Sequence, residues 1–384
     1  MRINKPIYLD YNATTPLDPE VITAIKPYME EHFGNPSSSH WYGIQTKYAI
    51  ENARKQVASL LNCKPDEIVF TSGGTESNNF AIKGIAFAHR KKGNHIITTQ
   101  IEHPAVVEVC KYLEEHGFEV SYLPVDQFGS VSVSNIEKAI KPETILVTVM
   151  HANNEVGTIQ PITQIAQLAK EHNVLMHSDA AQSIGKISTD VKLLGIDLLS
   201  IAGHKLYAPK GIGALYIRDG LQLAKFIHGA GHEQGKRAGT ENVLGIIGLG
   251  MACEIAQRNM ENNMQHMTKM RDRLYHALAE NLKDLKLNGH PVMRLPNTLS
   301  LSFSGIDAHV LLSEIKDYVA VSAGAACHTS GIEISYVLAA MGVPVEWARG
   351  TLRFSTGRMT TEHDIESAIT IISSAVTKLK NKNS

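Results

Sequence analysis

Three short segments carry residues whose types and spacing could do chemistry. Thr71-Ser72-Gly73-Gly74-Thr75-Glu76-Ser77 follows an apolar run and opens a helical pattern. Paired glycines let a backbone approach closely, and free N–H groups at a helix start attract a phosphate. Alone, the segment reads equally well as a strand-to-helix turn with a Thr cap. No Gly-Lys-Ser/Thr follows, so it is not a Walker loop. His177-Ser178-Asp179-Ala180-Ala181-Gln182 places an acid directly after a second apolar run, either as a helix cap or facing a ligand. Ser200-Ile201-Ala202-Gly203-His204-Lys205 then sets a lysine beside a histidine among small residues. A lysine held among apolar neighbours has a lowered pKa and can form a Schiff base, whereas a surface lysine in a loop is the plainer reading of this segment by itself.

Taken together, a phosphate cradle, an Asp and a Lys at strand ends of one sheet suit pyridoxal phosphate. That cofactor needs an anion site, a carboxylate to keep its pyridinium nitrogen protonated, and an amine for its aldehyde. The carboxylate preserves the positive charge that makes the ring an electron sink.

Strands and helices must hold these groups in place. Candidate strands are 68–71, 96–99, 120–122, 145–150, 174–177, 198–201 and 213–217. Most are continuous apolar runs, the pattern of strands buried on both faces. Helical patterns at 75–89, 105–115 and 162–172 lie between them, which predicts an α/β fold with a mainly parallel central sheet flanked by helices. Ligands collect at the carboxyl ends of such strands. Residues 241–282 read as one long helical stretch, or two in tandem, bridging out of this unit. Beyond lie strands at 299–303 and 352–355 and helices at 309–317, 335–341 and 361–379, a smaller α/β unit. The expected division is a large cofactor-binding domain at 16–260 and a small domain made of 1–15 and 261–384, with the Lys-rich end a fraying helix.

From Tyr8-Leu9-Asp10-Tyr11-Asn12-Ala13-Thr14-Thr15-Pro16 to Arg353-Phe354-Ser355-Thr356-Gly357-Arg358 the chain resembles the cysteine desulfurases and the related selenocysteine lyases. These are pyridoxal-phosphate enzymes of transferase fold type I. The specific motifs are Thr71 to Ser77, His151-Ala152-Asn153-Asn154-Glu155-Val156-Gly157, Asp179 to Gln182, Gly203-His204-Lys205 and Arg237-Ala238-Gly239-Thr240. The resemblance implies that Lys205 is the Schiff-base lysine and moves protons at the substrate Cα. It puts Asp179 on the pyridine nitrogen, Gln182 on the ring oxygen and His103 over the ring, where it handles a substrate proton. Gly74, Thr75 and His204 would hold the phosphate, with Thr240 reaching in from a partner subunit, so a homodimer is expected. Asn154 and Arg353 would bind the substrate carboxylate, the guanidinium bidentately.

The implied nucleophile is Cys327, in Ala323-Gly324-Ala325-Ala326-Cys327-His328-Thr329-Ser330-Gly331, a stretch that reads as a mobile loop. Its thiolate would take sulfur from L-cysteine as a persulfide and release L-alanine, for delivery to an acceptor protein. The related reading is a selenocysteine lyase, since Ala325-Ala326-Cys327-His328 with Gly342-Val343-Pro344 looks more like those enzymes. Pro104 after His103 does not separate the two. Ala202 stands where many desulfurases carry a Ser that adds a phosphate hydrogen bond.

The remaining cysteines, Cys63, Cys110 and Cys253, read as small buried hydrophobes, too few for a disulfide framework and without a CxxC pair for zinc. With 37 Lys+Arg against 38 Asp+Glu there is no field to favour nucleic acid or an anionic membrane. No run approaches the roughly 20 apolar residues of a membrane span, and the first residues lack a signal h-region, so the expected location is the cytoplasm.

Overall fold

Apolar, β-branched runs become strands wherever a helix can cover them, and the order of elements follows that rule. The computed structural model describes residues 5–324, 326–329 and 332–383, with 326–329, 332, 333 and 383 as backbone only. In chain order the elements are β1 (Ile7–Tyr8), α1 (Pro19–Glu30), α2 (Trp41–Leu61), β2 (Ile68–Thr71), α3 (Gly74–His89), β3 (His95–Thr99), α4 (Pro104–Glu115), β4 (Glu119–Leu123), α5 (Val133–Ala139), β5 (Thr144–Thr148), α6 (Ile162–Glu171), β6 (Leu175–Asp179), α7 (Val191–Leu194), β7 (Leu198–Ala202), β8 (Gly213–Ile217), α8 (Val243–Asn281), β9 (Leu285–Asn288), β10 (Thr298–Phe303), α9 (Ala308–Ile315), β11 (Val319–Ala320), β12 (Ser322–Ala323), β13 (Ala326–Thr329), β14 (Ile332–Ser335), α10 (Tyr336–Ala340), α11 (Val345–Ala348), β15 (Thr351–Ser355) and α12 (Glu362–Asn383).

The main sheet has seven strands in the order β2-β8-β7-β6-β5-β3-β4. All neighbours are parallel except β8, which is antiparallel to β2 and β7. Strands β2, β3, β5, β6 and β7 therefore present their carboxyl ends along one edge. Apolar clusters cover both faces. One joins α2 and α6 to the sheet through residues such as Val57, Leu61, Ile165 and Met176. The other joins α3 and α4 through Phe80, Ile85, Val109 and Leu113.

A second sheet, β12-β15-β10-β9, is antiparallel. Its core contains Leu299, Leu301, Phe354, Ile365 and Ile372. Helix α8 serves both cores: Ile246, Leu249 and Cys253 pack with the main sheet, and Met270, Leu274 and Leu278 with the smaller one. At 1.5 Å per residue it is about 58 Å long. The C-terminal segment expected to fray is helical to Asn383.

The nine strands read from the sequence sit within two residues of their expected ends, and β1, β9 and β11 to β14 are additions. Two early helices are additions. Asp18 caps α1 by accepting from Glu20 N, with Pro19 in the first helical position. Helix α2 ends on Asn62 in the left-handed conformation, φ 55°. The stretch read as a loop around Cys327 is instead a hairpin. Its backbone pairs Ala326 with Ser335, Cys327 with Ile334, His328 with Glu333 and Thr329 with Ile332.

Candidate active site

The turns that leave the aligned carboxyl ends converge on a cavity of about 280 Å³. After β2 come Gly74 and Thr75, after β3 His103, after β5 Asn154, after β6 Asp179 and Gln182, after β7 His204 and Lys205. Arg353 enters from β15.

Helix α3 begins without a side-chain cap. Its Gly73 has φ 151°, which L side chains rarely adopt, and a Cβ on Gly74 would come 3.3 Å from the Ala202 Cβ. The Thr-cap reading of this turn is therefore replaced by a bare helix start at the cavity wall, with amide donors left for an anion.

Asp179 closes β6 and is 7% exposed. Its Oδ1 accepts from Ala181 N at 2.8 Å and its Oδ2 from Asn78 Nδ2 at 2.7 Å. It thus shapes the turn and lines the cavity at once. Gln182 donates through Nε2 to Asn12 O at 3.0 Å.

Lys205 Nζ donates to two backbone carbonyls, those of Asn12 and Ala13, the latter at 2.8 Å. Burial lowers its pKa to about 8; Arg353 pushes the same way, against Asp10 and Asp179. His103 caps α4, its Nδ1 accepting from Ala105 N at 3.1 Å. An accepting Nδ1 leaves the proton of the neutral ring on Nε2. Burial lowers its pKa, opposed by Asp179 and helped by Lys205. His204 pairs its Nδ1 with Thr14 Oγ1 at 3.2 Å, and burial, then Lys205, lowers its pKa to about 4.

Asn154 offers its carbonyl to Asn12 Nδ2 at 3.1 Å and to Arg353 Nη1 at 3.2 Å. Asn154 Oδ1 and Arg353 Nε are buried with no hydrogen-bond partner among the described residues. A carboxyl-bearing molecule with an amine has use for both an acceptor and a donor there.

One expected residue, Thr240, lies apart in this chain, and another, Cys327, is described only in part. Thr240 is exposed and lines a separate recess with Ser72 and Arg237. Cys327 is described by its backbone on β13, and its side chain lies outside the described residues. Three residues were given no role from sequence. Asn12 gives its carbonyl to Lys205 and Gln182 and its side chain to Asn154, Thr298 and Asn297. Asn78 supports Asp179, and Asp10 pairs with Arg353. Asn78 was legible in principle, four residues after Gly74 and so on the same face of α3.

The aminotransferase class-V family model matches residues 7–367. The cysteine desulfurase IscS of Dictyoglomus turgidum is 48% identical over 379 residues, 98% of this chain and 96% of the relative. A cysteine desulfurase of Mus musculus is 46% identical over 365 residues, 94% of this chain and 79% of the relative. The chain belongs to the class-V aminotransferases, in their cysteine desulfurase branch. A solved NifS-like protein superposes with a TM-score of 0.92 at 39% identity, covering 97% of this chain and all of that one.

Class-V members are pyridoxal-phosphate-dependent. The residues here fit that cofactor on three counts: a glycine-lined, uncapped helix start, a buried carboxylate whose turn holds it on the cavity wall, and a lysine whose lowered pKa makes a neutral amine accessible near pH 8. Among the described residues no cluster could hold a metal and no helix is long and apolar enough to cross a membrane.

Proposed function

We propose that this chain is a pyridoxal-phosphate-dependent cysteine desulfurase that moves the sulfur of L-cysteine to Cys327 as a persulfide and releases L-alanine. The observation that carries this reading is the convergence of Lys205, Asp179 and Arg353 on one cavity, with the Cys327 hairpin rooted beside Arg353 through the Ser322–Arg353 pair.

When bound, the cofactor supplies an electron-withdrawing pyridinium ring. Asp179 holds the ring nitrogen and Gln182 the ring oxygen. Gly74, Thr75 and His204 hold the phosphate, with Thr240 of a second copy. Arg353 and Asn154 fix the substrate carboxylate, which orients the Cα–H toward Lys205. Lys205 takes that proton as general base, and His103 handles the second substrate proton. The Cys327 thiolate then forms an S–S bond with the substrate sulfur as the Cβ–S bond breaks. The electron pair stays on the three-carbon fragment, which takes up protons and leaves as alanine. Carbon is reduced and sulfur oxidised, so no outside reductant enters.

Exposed aromatics at Phe33, Trp41, Tyr42 and Tyr48 support a homodimer. We place the enzyme in the cytoplasm, with an acceptor protein taking the sulfur onward, and divide it into domains at 16–260 and at 1–15 with 261–384. The decisive experiment is mass spectrometry of the Cys327 peptide after cysteine addition. A gain of one sulfur, lost in Cys327→Ala, supports the reading. Wild-type turnover by Cys327→Ala would overturn the persulfide, and a strong preference for selenocysteine in the same assay would favour a lyase.

A further inference from the structure

The hairpin of β13 and β14 leaves and rejoins the fold at two feet, and both meet one carboxylate. Glu155 is 2% exposed. At the downstream foot Ser335 Oγ donates to Glu155 Oε2, while the same oxygen accepts from Val337 N and Leu338 N and so caps α10. At the upstream foot a Cβ on Gly324 would lie 2.6 Å from Glu155 Oε2 and 3.1 Å from Ser335 Cβ. Ser335 is the last rung of the hairpin, paired with Ala326.

The turns reached by these contacts are those of the cavity. Glu155 follows Asn154, and its N–H donates to Asn153 Oδ1 at 2.9 Å. Tyr336, next to Ser335, donates its hydroxyl to the Glu102 carbonyl at 2.8 Å, one residue before His103. The hairpin is thus tied to the neighbours of a substrate-binding group and of a proton-handling one. Losing a hydrogen bond to a buried carboxyl group leaves a desolvated polar atom unpaired, which costs more than losing one at the surface.

We propose that Glu155 is a positioning residue for sulfur transfer: holding Gly324 and Ser335 against the Asn154 turn, it fixes the root of the Cys327 hairpin relative to the bound substrate. The step it serves is S–S bond formation with loss of the substrate Cβ–S bond. Proton removal at Cα does not depend on it. This rests on Cys327 being the sulfur acceptor.

The test compares Ser335→Asn with Ser335→Asp in the cofactor-loaded full chain. Both side chains cap α10. Only Asn can also donate to Glu155, while Asp cannot and adds a like charge. Two rates are read: the cofactor absorbance change on adding cysteine, and sulfur gain on Cys327 by quenched-flow mass spectrometry. The expected result for Ser335→Asp is an unchanged absorbance rate with sulfur transfer slowed about tenfold or more, the size of a lost hydrogen bond to a charged group. Ser335→Asn and Glu155→Gln, which keep the bond, stay within about threefold by the same comparison. Amide exchange at 326–335 without substrate is faster in Ser335→Asp than in Ser335→Asn. Gly324→Ala, which displaces the same carboxylate from the other foot, shows the same split if Ser335→Asp does not fold. Equal sulfur-transfer rates in the Asn and Asp variants, or equal slowing of both measured rates, would overturn the proposal. Wild-type enzyme that gains no sulfur on Cys327 would instead overturn the acceptor reading beneath it.

Discussion

Arg353 Nη2 donates to Asp10 Oδ1 at 2.9 Å, and the other Asp10 oxygen accepts from Ser322 Oγ at 2.9 Å. The carboxylate is therefore held at both oxygens and fixes the guanidinium, whose Nε is buried without a hydrogen-bond partner among the described residues while the side chain lines the cavity. Arg353→Lys keeps the charge and loses the fork. The KM for cysteine is expected to rise about tenfold or more, with a smaller change in kcat, as befits lost carboxylate binding. Asp10→Asn, which can still accept one bond, falls between the two. A wild-type KM in Arg353→Lys would remove Arg353 from substrate binding.

Lys205 gives a pH prediction with a definite sign. Its amine must be neutral to add to the cofactor aldehyde, and its pKa without cofactor is about 8. The rate of cofactor uptake by cofactor-free protein should rise with pH through about 8, followed by growth of the absorbance band. Arg353 is the second cause of the lowered value. Arg353→Gln should move that midpoint upward, and a downward move would show that the assigned charge coupling is wrong.

How much of this was visible in the chain follows from where the signals lie. Strands such as β2 and β7 are fully buried, so their sequences are mostly apolar, with only Thr71 and Ser200 polar. Lys205, Asp179 and Gly74 were legible because each sits just at or past such a run. Helix α2 was not, because its buried face includes Gly43, Thr46 and Arg54. Arg54 is satisfied there by Glu233, 179 residues away, a partner that no local pattern announces. Asn12 was hidden for a related reason: its main contribution is a carbonyl, which carries no side-chain signature. The Cys327 hairpin was concealed by small residues, which read as a loop but also suit close strand pairing.

Lys186 is buried, and its Nζ donates to the Gln182 carbonyl at 2.8 Å. Burial, then Lys205 and Arg353, lowers its pKa from 10.5 to about 7. Between those two values the unfolded chain binds more protons than the folded one, so this group makes stability rise with pH across that window. Lys186→Met removes that dependence. Urea unfolding of wild type and variant should show the variant's relative stability falling as pH goes from 7 to 10.5. A gap that stays constant with pH would mean that Lys186 titrates normally.

Ala202 ends β7 with its methyl against the phosphate cradle, where it also borders the space a Gly74 Cβ would need. A hydroxyl at this position faces the bare start of α3 and adds a donor for an anion. Ala202→Ser should therefore tighten cofactor binding about threefold to tenfold, the worth of one ordinary hydrogen bond. Equilibrium dialysis or the absorbance of titrated cofactor would measure it. The matching loss is Gly74→Ala, whose Cβ at 3.3 Å from the Ala202 Cβ crowds the same space and should weaken binding without unfolding the protein. Paired with Ala202→Gly, which withdraws the crowding methyl, the Gly74→Ala defect should shrink. If Ala202→Ser binds the cofactor no more tightly, the anion is held away from β7, by Gly74, Thr75, His204 and Thr240.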